Sequence, residues 1–184
     1  MAADIAPKDQ DLSSHGILTA DFLTERDRLS GQVGVRSRPL VDQLNDATTS
    51  FLELKHVYIS PINRPSEIGA SYPVVTVRKT GLHLVIVPRF EDGLSRRQTY
   101  GSYLGNVPRD VFLVSSRYHI QGQVVLPAKA QLQTFLAAEA EHFLPVFEAT
   151  ATAIENPQIT FTGGAILVNV EHVAAFCLAE EVTT

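Results

Sequence analysis

The sequence contains a single cysteine, Cys177, among its 184 residues, and it contains no tryptophan. One thiol excludes a disulfide framework within the chain, and it also excludes a zinc site built from clustered cysteines. Cys177 lies in the apolar run at residues 173–178. We therefore expect it to pack as a small hydrophobic side chain rather than to serve as a reactive thiol.

The sequence also lacks the short motifs that accompany common catalytic chemistry. It has no phosphate-binding loop of the form G-x-x-x-x-G-K-[ST] or G-x-G-x-x-G, no G-x-S-x-G turn and no H-E-x-x-H helix. No apolar run approaches the ~20 residues that span a bilayer, and the polar N-terminal segment has no hydrophobic region typical of a secretory signal. We therefore expect a cytoplasmic protein that is not an enzyme, with no cofactor and no metal site.

The charge is modest in total but unevenly distributed. A formal net charge of −5 argues against a protein that coats nucleic acid or membranes in general. Residues 119–184 contain Lys129 as their only Lys or Arg side chain, against seven glutamates. This asymmetry indicates a solvated acidic face, with head-to-tail association as the alternative.

What the chain does contain is a pattern that occurs twice. Leu29 and Ile120 are 91 positions apart, and so are the Gly-Gln-Val runs that begin at Gly31 and Gly122. One inserted residue changes the offset to 92, which aligns the Phe-Leu pair that begins at Phe51 with the pair at residues 143–144. The matches fall where a strand–helix–strand unit needs its apolar residues, so the sequence predicts an internal duplication.

Local periodicity predicts the elements of the first copy. Apolar and polar residues alternate over residues 29–35, which is typical of a strand with one solvated face. Leu40, Val41 and Leu44 follow Pro39 at helical spacing and predict a short helix. The remaining predicted elements are a strand at residues 51–59, a long loop at 60–73, and a hairpin formed by residues 74–77 and 82–87.

These elements predict a mainly β fold of two tandem small β repeats, each with a short helix. One copy of about 65 residues has little core of its own. We therefore expect two SH3-like or Sm-like barrels, or a pseudo-twofold sandwich of two sheets. The predicted organisation is a flexible N-terminal tail at 1–16, the first repeat at 17–88, a linker rich in Arg, Tyr and Gly at 89–108, and the second repeat at 109–184.

Three short motifs of this sequence together resemble those of an uncharacterised bacterial domain family. They are a leucine–x–aspartate–x–leucine–asparagine helix, here residues 40–45, a phenylalanine–leucine–x–leucine strand, here residues 51–54, and a valine–asparagine–x–x–histidine strand, here residues 168–172. The second copy departs from the helix motif, with Thr134 and Ala137 in place of Asp42 and Asn45. The resemblance implies no catalytic activity.

The candidate binding residues lie where the two copies differ. In the loop after the second strand they are Asn63, Arg64 and Tyr72. In the linker they are Arg89, Arg96, Arg97, Tyr100 and Tyr103. Arginine grips phosphates or carboxylates, and tyrosine stacks on bases or packs against a protein surface. We expect a non-enzymatic adaptor or assembly subunit that binds a protein partner, or a second copy of itself, through loops and sheet edges.

Two other functions remain as alternatives. The first is a small-barrel protein that binds nucleic acid through the Arg and Tyr linker, although a pI near 5.6 counts against it. The second is a metal-dependent or small-molecule enzyme in which His56 and His83, on neighbouring strands, bind a metal together with Glu53.

Overall fold

The computed structural model describes residues 16–99, 105–129, 131–138 and 142–179. In chain order, the strands are β1 (Ile17–Leu23), β2 (Asp27–Gly34), β3 (Phe51–Pro61), β4 (Ala70–Arg78), β5 (Leu84–Val87), β6 (Asn106–Ser115), β7 (Tyr118–Pro127), β8 (Phe143–Ala153), β9 (Thr160–Thr162), β10 (Ala165–Asn169) and β11 (Val173–Leu178). The helices are α1 (Leu40–Leu44), α2 (Arg96–Thr99) and α3 (Leu132–Ala138). Short 3-10 turns occupy Lys79–Gly81, Phe90–Gly93 and Val170–His172.

The predicted mainly β class is confirmed, and the strands form one open antiparallel sheet. Its order is β11-β6-β7-β8-β10-β5-β1-β2-β3-β4, with β9 beside β8. The strands of each half therefore follow the same spatial order, β5-β1-β2-β3-β4 in one and β11-β6-β7-β8-β10 in the other. The halves meet where β10 pairs with β5. Two tandem barrels remain a prediction that the strand pairing does not show.

Two glycines bend the long strands at matching places. The pairing of β2 with β3 shifts register beyond Ser30, next to Gly31, and the pairing of β7 with β8 shifts beyond Gln121, next to Gly122. A Cβ atom on Gly122 would lie 2.7 Å from the backbone oxygen of Phe147, so no larger residue fits there without movement. A bulge of this kind bends a strand and increases its twist. The doubled Gly-Gln-Val runs therefore mark bends in the sheet.

The central strands supply side chains to two hydrophobic cores. In β5, Val85 and Val87 join one core while Leu84 and Ile86 join the other. β10 divides its residues in the same alternating way between the two cores. Since successive side chains of a strand point to opposite faces, the two cores lie on opposite faces of the sheet at this junction. Strands buried on both faces explain why both sequences are continuously apolar.

The predicted hairpin of residues 74–77 and 82–87 is wrong. β4 pairs with β3, whereas β5 pairs with β1 and β10. The turn Lys79–Gly81 connects β4 at the end of the sheet to β5 at its centre. The buried ammonium group of Lys79 anchors it by donating to the Gln43 and Asp46 carbonyl oxygens and to Thr49 Oγ1. Burial lowers the pKa of Lys79.

The predicted strand and helix of residues 29–44 are confirmed as β2 and α1, and residues 51–59 lie within β3. The long loop is shorter than predicted, because β3 extends to Pro61 and β4 begins at Ala70. The strand β1 precedes the predicted elements of the first copy. The described part of the predicted linker includes the turn Phe90–Gly93, α2 and the first residues of β6.

Candidate interaction surfaces

The strand β4 forms one end of the sheet. In the described part of the chain it pairs with β3 alone, so its other edge has no strand neighbour. Several of its side chains are exposed, among them Tyr72 at 53% and Val74 at 50%. The aromatic side chains of Phe51 and Tyr58 on the adjacent β3 are also about half exposed. Exposed apolar residues on an unpaired strand are typical of a surface that binds another chain.

The strand β11 forms the other end of the sheet and pairs with β6 alone among the described strands. Cys177 is exposed here, so the expectation that it packs as a buried hydrophobic residue is wrong. The apolar run forms a strand, and nothing in the described part of the chain covers its outer edge. Cys177 lines an open groove of about 520 Å³ together with Asp110 and Glu148.

The same positions in the other half of the chain are buried. Residues 74–78 of β4 are 91 positions before Ala165–Asn169, the whole of β10, and all five residues of β10 are buried. Likewise Leu84–Val87, the whole of β5, is 91 positions before residues 175–178 of β11 and is completely buried. Inside the chain, β10 and β5 bury each other by pairing. Among the described strands, the corresponding ones at the ends of the sheet have no such neighbour.

Two asparagines form hydrogen bonds across the seam, which is the contact between the two halves around the pairing of β10 with β5. Asn45, at the end of α1, accepts a hydrogen bond from the Phe143 N–H at 2.7 Å and donates to the Phe143 carbonyl oxygen at 3.0 Å. Asn169, which is only 1% exposed, donates from Nδ2 to the Leu82 carbonyl oxygen at 2.8 Å and accepts from the Glu171 N–H. Both asparagines belong to the motifs that carry the family resemblance, and each satisfies backbone groups that the seam would otherwise bury unpaired.

A pair of stacked histidines closes one end of the seam. The rings of His83 and His172 are 3.8 Å apart and nearly parallel, and His172 Nε2 lies 3.0 Å from the Thr80 carbonyl oxygen. Burial and, to a smaller extent, the neighbouring His172 ring together lower the pKa of His83 to about 4. His83 therefore lies inside the contact between the two halves rather than on a solvated face of the sheet. It is 7% exposed and faces the second half of the chain.

The proposed metal ligands do not form a cluster in the part of the chain that the structure describes. His56 lies in β3, where it adopts a positive φ of 50° at the bend, while His83 stacks on His172. Among the described residues, no group of three or more His, Cys, Asp or Glu side chains could hold a metal ion.

The candidate residues Asn63, Arg64 and Tyr72 lie at one end of the β3–β4 pair. Arg64 forms an exposed ion pair with Glu67 at 2.9 Å within the connecting loop. Asn63 lines a cleft of about 520 Å³ whose other wall includes Arg117. The guanidinium group of Arg117 contacts Glu25 at 3.0 Å and lowers the pKa of that carboxyl group. The cleft lies between the two halves of the chain, and of the three candidate residues it is lined by Asn63.

The linker arginines are held by the chain itself. Arg89 forms a two-pronged ion pair with Asp92, with donor–acceptor distances of 3.1 and 3.0 Å. Arg96 donates its backbone N–H to Asp42 of α1 and its guanidinium Nη2 to the Ser37 carbonyl oxygen. Arg89 therefore stabilises its own turn, and Arg96 ties this segment to α1 and to the loop before it. Arg97 is exposed, while Tyr100 and Tyr103 lie outside the described residues.

Reasoning from the sequence missed β11 and the seam. The valine–asparagine–x–x–histidine motif at residues 168–172 was a signal for the seam, because it combines a buried amide with an imidazole at a strand end. Among the described residues, no helix is long and apolar enough to cross a membrane. Comparisons with protein-family models, with curated proteins and with solved structures give no match to this chain.

Proposed function

We propose that this protein is a non-enzymatic assembly subunit or adaptor that binds a protein partner through its sheet edges and the loop between β3 and β4. The observation that carries this proposal is the contrast between the buried strands β10 and β5 and the exposed strands 91 positions away. A strand whose edge and side chains are both exposed can accept a further strand, with backbone hydrogen bonds giving affinity and side chains giving specificity.

We also propose that the chain is a duplicated unit. The common strand order of the two halves supports this, as do the bends at Gly31 and Gly122 and the offset of 91 or 92 residues between matching elements. Duplication gives the sheet two different ends rather than two identical ones. The exposed thiol of Cys177 suits a reducing compartment, so we assign the assembly to the cytoplasm.

Photo-cross-linking in the source cells tests this function. A photoactivatable residue is introduced at Tyr72 on β4 or at Cys177 on β11, and at the exposed Lys129 as a control away from both edges. We expect protein adducts from the two edge positions and few from the control. Equal yields from all three positions, or no adduct from either edge, would contradict the proposed function.

A further inference from the structure

The two ends of the sheet correspond to the two sides of a contact that already exists inside the molecule. The internal junction pairs β10 with β5, and the free ends are the strands 91 positions away from these two, β4 and β11. A surface of the β4 type and a surface of the β11 type are therefore both exposed on each molecule. Neither can reach its counterpart in the same chain along the sheet, because they lie at opposite ends of the strand order.

We propose that β4 of one molecule pairs antiparallel with β11 of a second copy, in the register of the internal junction. This inference rests on the proposed function in sheet-edge assembly and names the partner. At the junction, Ala165, Ile166, Leu167 and Val168 lie opposite Val87, Ile86, Val85 and Leu84. Subtracting 91 from the β10 numbers gives the β4 residues, and adding 91 to the β5 numbers gives the β11 residues. The same register then places Val74 opposite Leu178, Val75 opposite Cys177, Thr76 opposite Phe176 and Val77 opposite Ala175.

The backbone hydrogen bonds of the two end strands fit this register. The Lys79 N–H donates to the Ser50 carbonyl oxygen, so the odd-numbered residues of this part of β4 direct their backbone groups toward β3. The even-numbered residues, including Thr76, direct theirs outward. On β11, the Ala179 N–H donates to the Asp110 carbonyl oxygen, which leaves Phe176 directed outward. Thr76 and Phe176 are opposite each other in the proposed register, and their donors and acceptors face each other.

The side chains of the two strands also suit a buried contact. Residues 74–77 and 175–178 contain no charged residue, although charged side chains are a common protection of free strand edges. Pro73 does not obstruct the pairing, because at this odd-numbered position its missing N–H would have faced β3. Arg78 and Pro73 flank the apolar segment on either side and limit its length to about that of β10.

The contact would join two different surfaces, so two molecules linked by one such contact still have a free β4 edge and a free β11 edge. Head-to-tail contacts generate a ring when the rotation between neighbours closes and an open filament when it does not. The pairing of β10 with β5 is already one contact of this kind, between the second half of the chain and the first. A multimer would then be a continuous sheet in which every internal edge is paired.

The single native thiol provides the first test. In the proposed register, Val75 of one molecule faces Cys177 of the next at a pair without direct backbone hydrogen bonds. The Cα atoms of such pairs are about 4.5 Å apart, within the range that a disulfide spans. The variant V75C is expected to give a ladder of covalent multimers on a non-reducing gel after mild oxidation. The matched control, V75C combined with C177S, keeps one thiol and can form dimers at most.

A ladder that needs both thiols, with the disulfide between the introduced thiol and Cys177 identified by mass spectrometry, supports the register. A ladder held together by disulfides between like positions overturns the inference, and so does a V75C protein that remains monomeric under oxidation.

Sedimentation of the purified full chain provides the second test. We expect wild-type species above the 20.1 kDa monomer that dissociate on dilution over roughly a hundredfold range of concentration. T76P removes one outward N–H at an edge where proline is tolerated and should leave only the monomer. The control T162P places proline at an exposed threonine of β9, which is at neither end of the sheet, and should assemble like the wild type.

A wild-type chain that is monomeric throughout, or a T76P variant that assembles normally, overturns the inference. If T76P does not fold, as judged by circular dichroism, the V75C experiment decides alone. The two proposals can fail separately. Edge-specific adducts with a different protein, together with a monomeric purified chain, would reject self-assembly and leave the adaptor function standing. No edge adducts at all would remove the adaptor function.

Discussion

Replacing Asn169 with alanine should weaken the seam between the halves far more than an equivalent change at the end of the sheet. The amide of Asn169 is the donor to the Leu82 carbonyl oxygen and the acceptor for the Glu171 N–H that begins the turn Val170–His172. An unsatisfied buried polar group costs about 1–3 kcal/mol, and the loss of a capping side chain costs about 1 kcal/mol. We therefore expect N169A to lower the free energy of unfolding by about 2–4 kcal/mol.

Urea unfolding measures this difference, and the chain offers a matched control. Arg78 occupies the position 91 residues earlier, at the exposed end of β4, where its guanidinium lies 4.7 Å from the centre of the Phe51 ring. An exposed contact of this kind contributes about 0.5–1 kcal/mol, so R78A should lose no more than that. Both variants should keep the wild-type dependence on urea concentration. Equal losses in N169A and R78A would refute the argument that the seam is the buried counterpart of the edge.

Two further predictions concern the seam and the bend. The pKa of His83 is about 4 in the folded chain and ordinarily about 6.5, so the unfolded chain binds the proton first as the pH falls. The free energy of unfolding should have its full value above about pH 6.5 and should decline by up to about 3 kcal/mol toward pH 4. Urea titrations at each pH measure this dependence, and H83Q should flatten it. G122A should lower the thermal midpoint, because its Cβ would meet the Phe147 oxygen and Val146 and would cost about 1–3 kcal/mol. G34A should leave the thermal midpoint unchanged, because a Cβ atom there has no described atom within 4 Å. Equal thermal midpoints for the two variants would contradict the role of Gly122.

The site could be predicted only in part. Tyr72 is exposed on β4, as a binding residue must be, while its binding role and the use of sheet edges remain predictions. The roles of Arg89 and Arg96 do not follow from it. Their pattern with tyrosines suggests recognition, while their ion pair and hydrogen bonds tie them to Asp92, to α1 and to the Ser37 carbonyl oxygen. These partners are up to 59 positions away, and no local pattern indicates which of them a guanidinium group reaches.

The sequence by itself determined the short-range elements. Alternation and helical spacing are properties of neighbouring residues, so β2, α1 and β3 could be placed from the chain alone. The doubled glycines lie at the bends, where a Cβ atom would meet the neighbouring strand.

Only the tertiary structure decided which apolar strands are buried. Residues 74–77 and Leu84–Val87 look alike as short apolar runs, yet the first lies at an open end of the sheet while the second is buried between β1 and β10. Burial depends on the strands that lie alongside, and those are brought there by pairing over long distances in the chain. The physical reason is that a strand forms its backbone hydrogen bonds and buries its side chains against neighbouring strands. Its own sequence does not specify which strands these are.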